Sequence, residues 1–164
     1  MSDSLAIGYQ LEYDALRQEI LKRIELRQQI ILLTLTIAGV SFSLSDTNYI
    51  ITLLYPTLAF FLALGWVQND LRIRDIARYI REEIEVQCES LHYEKHLLER
   101  KKSHPDDRWV RTILSHGGIF MTTQIIAIII GISKCVFSVQ EDVLLGINFL
   151  VLILTIYFMR QARK

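Results

Sequence analysis

The chain has 164 residues, of which 51% are hydrophobic, and its mean hydropathy is +0.28. Soluble globular domains are less apolar and spread their apolar residues more evenly, so this composition excludes an ordinary soluble domain. The formal net charge is zero, which argues against nucleic acid binding by bulk attraction. We therefore expect no nucleic acid partner.

The first predicted segment, 1–29, contains a cytosolic amphipathic helix. Its apolar residues Tyr13, Leu16, Ile20 and Ile24 recur at three-and-four spacing, with charged residues on the other faces. Such a helix either continues into a membrane span or lies on the membrane surface, where its basic residues meet lipid phosphates.

Four long stretches of the chain carry no Asp, Glu, Lys or Arg: 28–45, 47–69, 112–133 and 143–159. A helix needs roughly 20 apolar residues to cross a bilayer core about 30 Å thick, and about 17 to 25 are tolerated. All four stretches fall within that range. A soluble bundle of apolar helices is the alternative, but residues 125–130 have no polar face. The sequence therefore predicts an all-α integral membrane protein with four transmembrane helices.

The first two spans form a predicted transmembrane hairpin, 30–69. Ser-Asp-Thr-Asn at 45–48 predicts a tight outer turn, because these side chains compete for backbone hydrogen bonds. Pro56 removes one backbone hydrogen bond from the second span and is expected to kink it.

A densely charged segment, 70–108, separates the two pairs of spans. One unbroken helix over 69–102 would reach about 50 Å into the cytoplasm at 1.5 Å per residue. The nine residues 103–111 extend at most about 32 Å, so the chain could not return to the membrane. We therefore predict a cytosolic helical hairpin with its turn within 86–93. The last segment, 109–164, is then a second transmembrane hairpin with a basic C-terminal tail.

The basic residues lie on one side of this topology. Of the 18 Lys and Arg residues, all but Lys134 fall in segments assigned to the cytoplasm. Cytoplasmic segments hold the excess of Lys and Arg in membrane proteins. We therefore expect a multi-pass protein of the bacterial inner membrane with both termini in the cytoplasm. The N-terminus lacks the features of a signal peptide. Cys88 and Cys135 would lie on opposite sides of the membrane and cannot form a disulfide within one chain.

Few polar side chains interrupt the predicted spans. His116, near the inner end of the third span, is the ionisable one, and such residues often mark transport. For His116, snorkelling or hydrogen bonding between helices is the simpler explanation. The polar side chains further along the third and fourth spans either hydrogen-bond between helices, which is again simpler, or line a narrow pore in an oligomer; they are Thr122, Thr123, Gln124 and Asn148. Gly117, Gly118 and Gly131 allow close approach of another helix and therefore favour self-association at the third span. The candidate intramembrane polar and packing residues are His116, Gly117, Gly118, Thr122, Thr123, Gln124 and Asn148.

On the central segment, Cys88, His92 and His96 follow one another at four-residue spacing, which suits zinc ligands on one helix face. A structural zinc site needs four ligands, so we expect a solvated face and no metal. No catalytic or cofactor-binding motif is present, and we therefore expect neither an enzyme nor a cofactor.

Four arginines begin at the membrane edge of the same segment. They are candidates for contact with anionic lipid headgroups or with a cytosolic partner, and topological anchoring is the simpler explanation. The four are Arg72, Arg74, Arg78 and Arg81.

The order of these segments resembles that of a known class of membrane proteins. An amphipathic helix with Tyr13 and Leu16 precedes two close spans joined by Ser-Asp-Thr-Asn, and a charged cytosolic helix follows. Over about residues 9–100 this resembles the two-span SLATT effectors of bacterial defence systems. Tyr-Ile-Arg-Glu-Glu-Ile-Glu at 79–85 is also similar to a group of uncharacterised small bacterial membrane proteins. The extra pair of spans departs from the two-span pattern. The resemblance implies pore formation or membrane disruption and transfers no catalytic residue.

Two functions follow from these observations. The leading hypothesis is a self-associating inner-membrane effector or pore-forming component, which permeabilises the membrane on a cytosolic signal in antiviral defence. The alternative is a non-conducting membrane anchor or scaffold that docks a soluble protein or ligand through the 70–108 hairpin. An intramembrane enzyme that uses His116 is a remote third.

Overall fold

The computed structural model describes residues 3–87, 93, 96, 99, 117–134 and 139–161. Within these residues the chain is helical apart from one turn and contains no strand, which confirms the predicted all-α class. Helix α1 is Asp3–Ser43, and helix α2 is Tyr49–Tyr79. Helix α2 continues through a π-helical turn, Ile80–Ile84, and a final α-helical turn, Glu85–Gln87. Helix α3 is Gly118–Lys134 and helix α4 is Val139–Gln161.

Three of the described helices are long and apolar enough to cross a membrane. They are Ile7–Ser43, Tyr49–Gln87 and Gln140–Gln161. Each exposes large apolar side chains, for example Leu32 (67% exposed), Phe61 (62%) and Ile153 (64%). Contiguous apolar surface of this kind suits contact with lipid rather than water. Helix α3 is also apolar, but its described part has 17 residues and is shorter than these three.

A tight turn joins α1 to α2. The carbonyl of Leu44 accepts a hydrogen bond from the backbone N–H of Asn48 at 2.9 Å. Asn48 Oδ1 in turn accepts the N–H of Ile50 at 3.1 Å and so caps the first turn of α2. The tight turn predicted at 45–48 is therefore present.

The chain divides into two compact units. The first is Met1–Arg27 with Asn69–Trp109, and the second is Gln28–Gln68 with Val110–Lys164. The boundaries of the second unit follow the uncharged stretches of the sequence closely. Each unit has its own core.

A small aliphatic core holds the first unit together. Ile20, Ile80 and Ile84 are 6%, 0% and 1% exposed, whereas Ile24, predicted on the same stripe, is 41% exposed. In the π-helical turn the N–H of Glu85 donates to the Ile80 carbonyl, five residues earlier. This wider turn allows Ile80, Ile84 and Glu85 to be buried together. Half-buried residues complete the core: Tyr13, Leu16, Ile73, Ile76 and Ala77.

The second unit packs apolar side chains in layers. One layer draws on α1, α2, α3 and α4, with Ile31, Ala63, Trp66, Val67, Phe120 and Met159. A second layer consists of Ala38, Tyr55, Ala59 and Ala127. Because the first layer takes residues from all four helices, the second unit is a helical bundle with a common core.

Gly131 of α3 allows a close approach of α2. A Cβ atom at this position would lie 3.1 Å from Leu53 Cγ and closer still to one of its methyl groups. The glycine that the sequence suggested for self-association therefore packs within its own chain. Gly146 of α4 has open space around it, because beyond its own helical turn no described residue comes within 4 Å of an added Cβ.

We expect Gly131→Ala to destabilise the second unit by about 1–3 kcal/mol, because the added methyl overpacks the contact with Leu53. Unfolding in mixed detergent micelles measures the effect. Gly146→Ala is the matched control and should be neutral or slightly stabilising, since alanine favours helix. Equal stability of the two variants would be inconsistent with this packing.

Candidate functional site

Polar side chains are buried in the middle of the apolar second unit. Gln124 of α3 and Asn148 of α4 are both 0% exposed. Gln124 Nε2 donates to Thr155 Oγ1 at 3.2 Å and to the Pro56 carbonyl at 3.4 Å. Asn148 Nδ2 donates to the Leu53 carbonyl at 2.9 Å. Both amides therefore join their own helix to the backbone of α2.

Pro56 lies inside this turn of α2 and changes its hydrogen bonding. Proline has no N–H, so it cannot donate to the carbonyl of Thr52 one turn earlier. Carbonyl oxygens have two lone pairs, so the neighbouring carbonyls can accept a side-chain bond beside a helix bond. The Thr52 hydroxyl donates to the Ser41 carbonyl of α1 at 2.9 Å. Helices α2, α3 and α4 thus contribute polar side chains at this level of the unit, and α1 contributes the Ser41 carbonyl.

A second series of hydrogen bonds joins α2 to α3. Tyr55 OH donates to Thr123 Oγ1 at 2.8 Å, and Thr123 Oγ1 donates to the Ile119 carbonyl at 2.8 Å. The Tyr55 ring packs edge-on against Phe42, with ring centroids 5.6 Å apart. Since Tyr55 is 2% exposed, its hydroxyl needs such an internal partner.

The structure thus brings together three of the residues singled out in the sequence: Thr123, Gln124 and Asn148. Sequence analysis missed Thr52, Tyr55 and Thr155, which are buried in the same layer. Asn148 and Thr155 are seven residues apart, or two helical turns, and this spacing was the available signal for a shared face. We call Thr52, Tyr55, Thr123, Gln124, Asn148 and Thr155 the polar layer.

The other intramembrane candidates lie elsewhere. Thr122 is exposed on α3. Gly117 is buried, and a Cβ there would lie 3.8 Å from Met159 Sδ, whereas Gly118 is half-buried. His116 lies outside the described residues. Among the residues that are described, the polar layer contains amides and hydroxyls but no ionisable acid or base other than the Tyr55 phenol.

Charged and polar side chains connect the helix ends near the α1–α2 turn. Lys134 of α3 forms an ion pair with Asp46 and donates to Ser45 Oγ at 3.3 Å. The hydrogen bond from the Lys134 ammonium, and then its charge, lower the pKa of the exposed Asp46 carboxyl below its usual range. Tyr49 OH donates to Glu141, in the first turn of α4. The turn is thereby attached to both α3 and α4.

In the first unit, Asp70 lies between two arginines. Its Oδ1 accepts Arg27 Nη1 at 2.8 Å, and both side chains are 19% exposed. Its other oxygen pairs with Arg74, four residues on. Arg23 also donates to Asn69 Oδ1 at 3.4 Å. These bonds join α1 to α2 at the point where the apolar stretch of α2 ends.

A further hydrogen bond joins α1 to α2 in the first unit: Tyr79 OH donates to the Glu12 carboxylate at 2.9 Å. The hydrogen bond to that carboxylate raises the pKa of the Tyr79 phenol, because it favours the neutral form. Arg17 lies 4.2 Å from the ring centroid of Tyr93, in a cation–π contact. The first unit is therefore cross-linked by polar contacts at several levels.

The four arginines singled out in the sequence differ in their surroundings. Arg74 pairs with Asp70, and Arg81 pairs with Glu82 at 3.0 Å. Arg72 and Arg78 are exposed and form no ion pair among the described residues. The hypothesis of headgroup or partner contact therefore rests mainly on these last two.

The zinc hypothesis falls largely on residues that are not described, since Cys88 and His92 are among them. His96 is exposed. Among the described residues no group of three His, Cys, Asp or Glu side chains could hold a metal ion.

We expect Lys134→Gln to raise the pKa of Asp46 toward the usual value of about 3.9. A carboxyl whose pKa is lowered by folding stabilises the fold above its unfolded pKa, and this contribution disappears as the pH falls through the folded pKa. The variant should therefore lose stability at neutral pH and little at acid pH. An NMR titration of Asp46 measures the pKa, and Lys22→Gln serves as the control. An unchanged Asp46 pKa in Lys134→Gln would argue against the Lys134–Asp46 ion pair.

We expect Asp70→Asn to destabilise the first unit by about 1–2 kcal/mol, because it removes the charge that Arg27 and Arg74 share in a half-buried position. Chemical unfolding monitored by circular dichroism measures the effect. Asp75→Asn is the matched control, since Asp75 is exposed and has no ion pair among the described residues. A similar loss in both variants would contradict a specific role for Asp70.

Comparisons of the chain with protein-family models, with curated proteins and with solved structures give no match. The resemblance to the SLATT effectors therefore stays a prediction that rests on the order of the segments in the sequence.

Proposed function

We propose that the chain crosses a bacterial inner membrane four times, with both termini and the 70–108 hairpin in the cytoplasm. The three membrane-length helices support multiple crossings. The apolar helix α3 lies within the uncharged stretch 112–133, which has the length of a fourth span. The distribution of Lys and Arg supports the orientation.

Within this topology the protein acts as a non-conducting membrane anchor that presents a helical cytosolic unit to a soluble partner. The observation that carries this proposal is that Thr123, Gln124 and Asn148 form hydrogen bonds inside one chain. A pore between copies needs polar groups along an outer face of the spans. The outer faces of α3 and α4 instead expose large apolar residues such as Ile129 and Ile153.

The docking surface is the arm 70–87, the part of the 70–108 hairpin for which the contacts are known. Its inner side is occupied by Ile80 and Ile84, and Asp70 fastens it to α1. Arg72 and Arg78 are exposed on it without an ion pair among the described residues. A partner with an acidic surface would satisfy both arginines.

A second candidate function is the self-associating effector that permeabilises the membrane on a cytosolic signal, as in antiviral defence. One observation favours it: the side-chain oxygens of Gln124 and Asn148 are buried and have no hydrogen-bond partner among the described residues. A bundle with polar groups inside exposes them when it opens, and several opened copies would surround a polar path.

The two functions differ in their effect on membrane potential. In a bacterium loaded with a potential-sensitive dye, we expect induction of the protein to leave the potential unchanged, because the spans present an apolar exterior. A reporter fused after Lys164 should be active in the cytoplasm. Collapse of the potential on induction or on phage infection would reject the anchor function and support the effector.

The docking surface is tested by charge removal. We expect Arg72→Gln/Arg78→Gln to lose a soluble protein that co-purifies with the wild-type chain, because the partner's acidic groups lose both contacts. Lys22→Gln is the control, because it removes a positive charge from an exposed position in the same unit. Retention of the partner by the double variant, or its loss from the control, would rule out this surface.

A further inference from the structure

Two amide oxygens in the polar layer require a hydrogen-bond donor. Gln124 Oε1 and Asn148 Oδ1 are inaccessible to solvent and have no partner among the described residues. Their amide nitrogens are already committed, one to Thr155 and Pro56 and the other to Leu53. A buried carbonyl oxygen without a donor is unfavourable, and in proteins such atoms are usually satisfied by protein groups or ordered water.

The two amides lie close together along α2. The carbonyls to which they are bonded belong to Leu53 and Pro56, three residues apart, which is about 4.5 Å along a helix axis. Pro56 supplies no N–H to the carbonyl of Thr52, so the same turn holds another acceptor. The site therefore presents several acceptors and needs a small neutral molecule that can donate two hydrogen bonds.

We propose that ordered water molecules bind inside the membrane-spanning unit at Gln124 Oε1 and Asn148 Oδ1. Water matches the need for a neutral double donor. A divalent metal ion does not, because the polar layer contributes no carboxylate among its described members to balance the charge. The inference rests on the membrane-spanning part of the proposed function and is independent of whether the chain docks a partner.

An apolar layer seals this water on one side. Along α2 the polar layer occupies Thr52 to Pro56, and the apolar layer follows at Ala63 and Trp66. Phe120 of α3, 0% exposed, and Met159 of α4, 8% exposed, contribute to the same apolar layer. Each of the four helices that contribute a polar group also contributes a residue to this apolar layer, and we assign the seal to Phe120 and its neighbours.

Solid-state NMR in lipid bilayers tests for the water directly. With the Asn and Gln side chains labelled with 15N, magnetisation transferred from water should reach the side-chain amides of Gln124 and Asn148 as quickly as those of exposed Gln68. Transfer as slow as that to the backbone of buried Ala127 would overturn the proposal.

Proton leak in proteoliposomes tests the seal. We expect Phe120→Ala to raise the leak several-fold over the wild-type chain, and Phe149→Ala, which removes a half-exposed ring from α4, to leave it unchanged. Adding Gln124→Leu and Asn148→Leu to Phe120→Ala should return the leak to the wild-type level, because the water sites are gone. The proposal would be overturned if Phe120→Ala leaked no more protons than the wild-type chain. It would also be overturned if the leak persisted in the triple variant that carries Gln124→Leu and Asn148→Leu as well.

These outcomes are distinguishable from failure of the proposed function. If the chain does not span the membrane, extraction of the chain from membranes at high salt shows this before any leak is measured. Absence of a docked partner changes neither the NMR transfer nor the leak.

Discussion

Hydrocarbon offers no hydrogen bonds, so each polar group in a membrane span has to find its partner within the protein. In this chain α2 is long and apolar enough to cross a membrane, and at one of its turns the carbonyls of Leu53 and Pro56 accept hydrogen bonds from the side chains of Asn148 and Gln124. These bonds determine which faces of α3 and α4 turn toward α2. The apolar faces opposite, with residues such as Ile129 and Ile153, are thereby directed outward.

The two units of the chain are stabilised in different ways. In the first unit charged pairs such as Arg27–Asp70 join α1 to α2, but each exposed or half-exposed pair contributes little free energy of folding. The aliphatic core around Ile20 and Ile80 supplies the burial, and the charged pairs fix which residues face each other. In the second unit apolar side chains lie both inside and outside, so burial alone does not specify orientation. Hydrogen bonds and the close fit of Leu53 against Gly131 perform that role.

This difference explains what the sequence could predict. Charged residues alternate with apolar ones in the first unit, so the three-and-four spacing correctly indicated burial at Ile20, although Ile24 on the same predicted stripe is exposed. In an almost uniformly apolar helix no such contrast marks the inner face. The sequence indicated Gln124 and Asn148 because they are polar, but their partners include backbone carbonyls near Pro56, which have no signature of their own. The fold class and the membrane-length helices follow from composition, whereas the polar layer required knowledge of how the helices are rotated.

The π-helical turn Ile80–Ile84 has a consequence for variation in the length of the arm. A helix rotates about 100° with each residue, and a π-helical turn absorbs one residue more than an α-helical turn does. Loss of a single codon within this turn would allow an ordinary α-helix to form without disturbing the chain before Ile80. Because the π-helical turn already absorbs that extra residue, everything after it, beginning with the buried Glu85, would keep nearly its present orientation relative to α1. The helix is thus tolerant of the loss of one residue at this turn, whereas the same loss in an α-helical part of α2 would rotate the residues after it by about 100°.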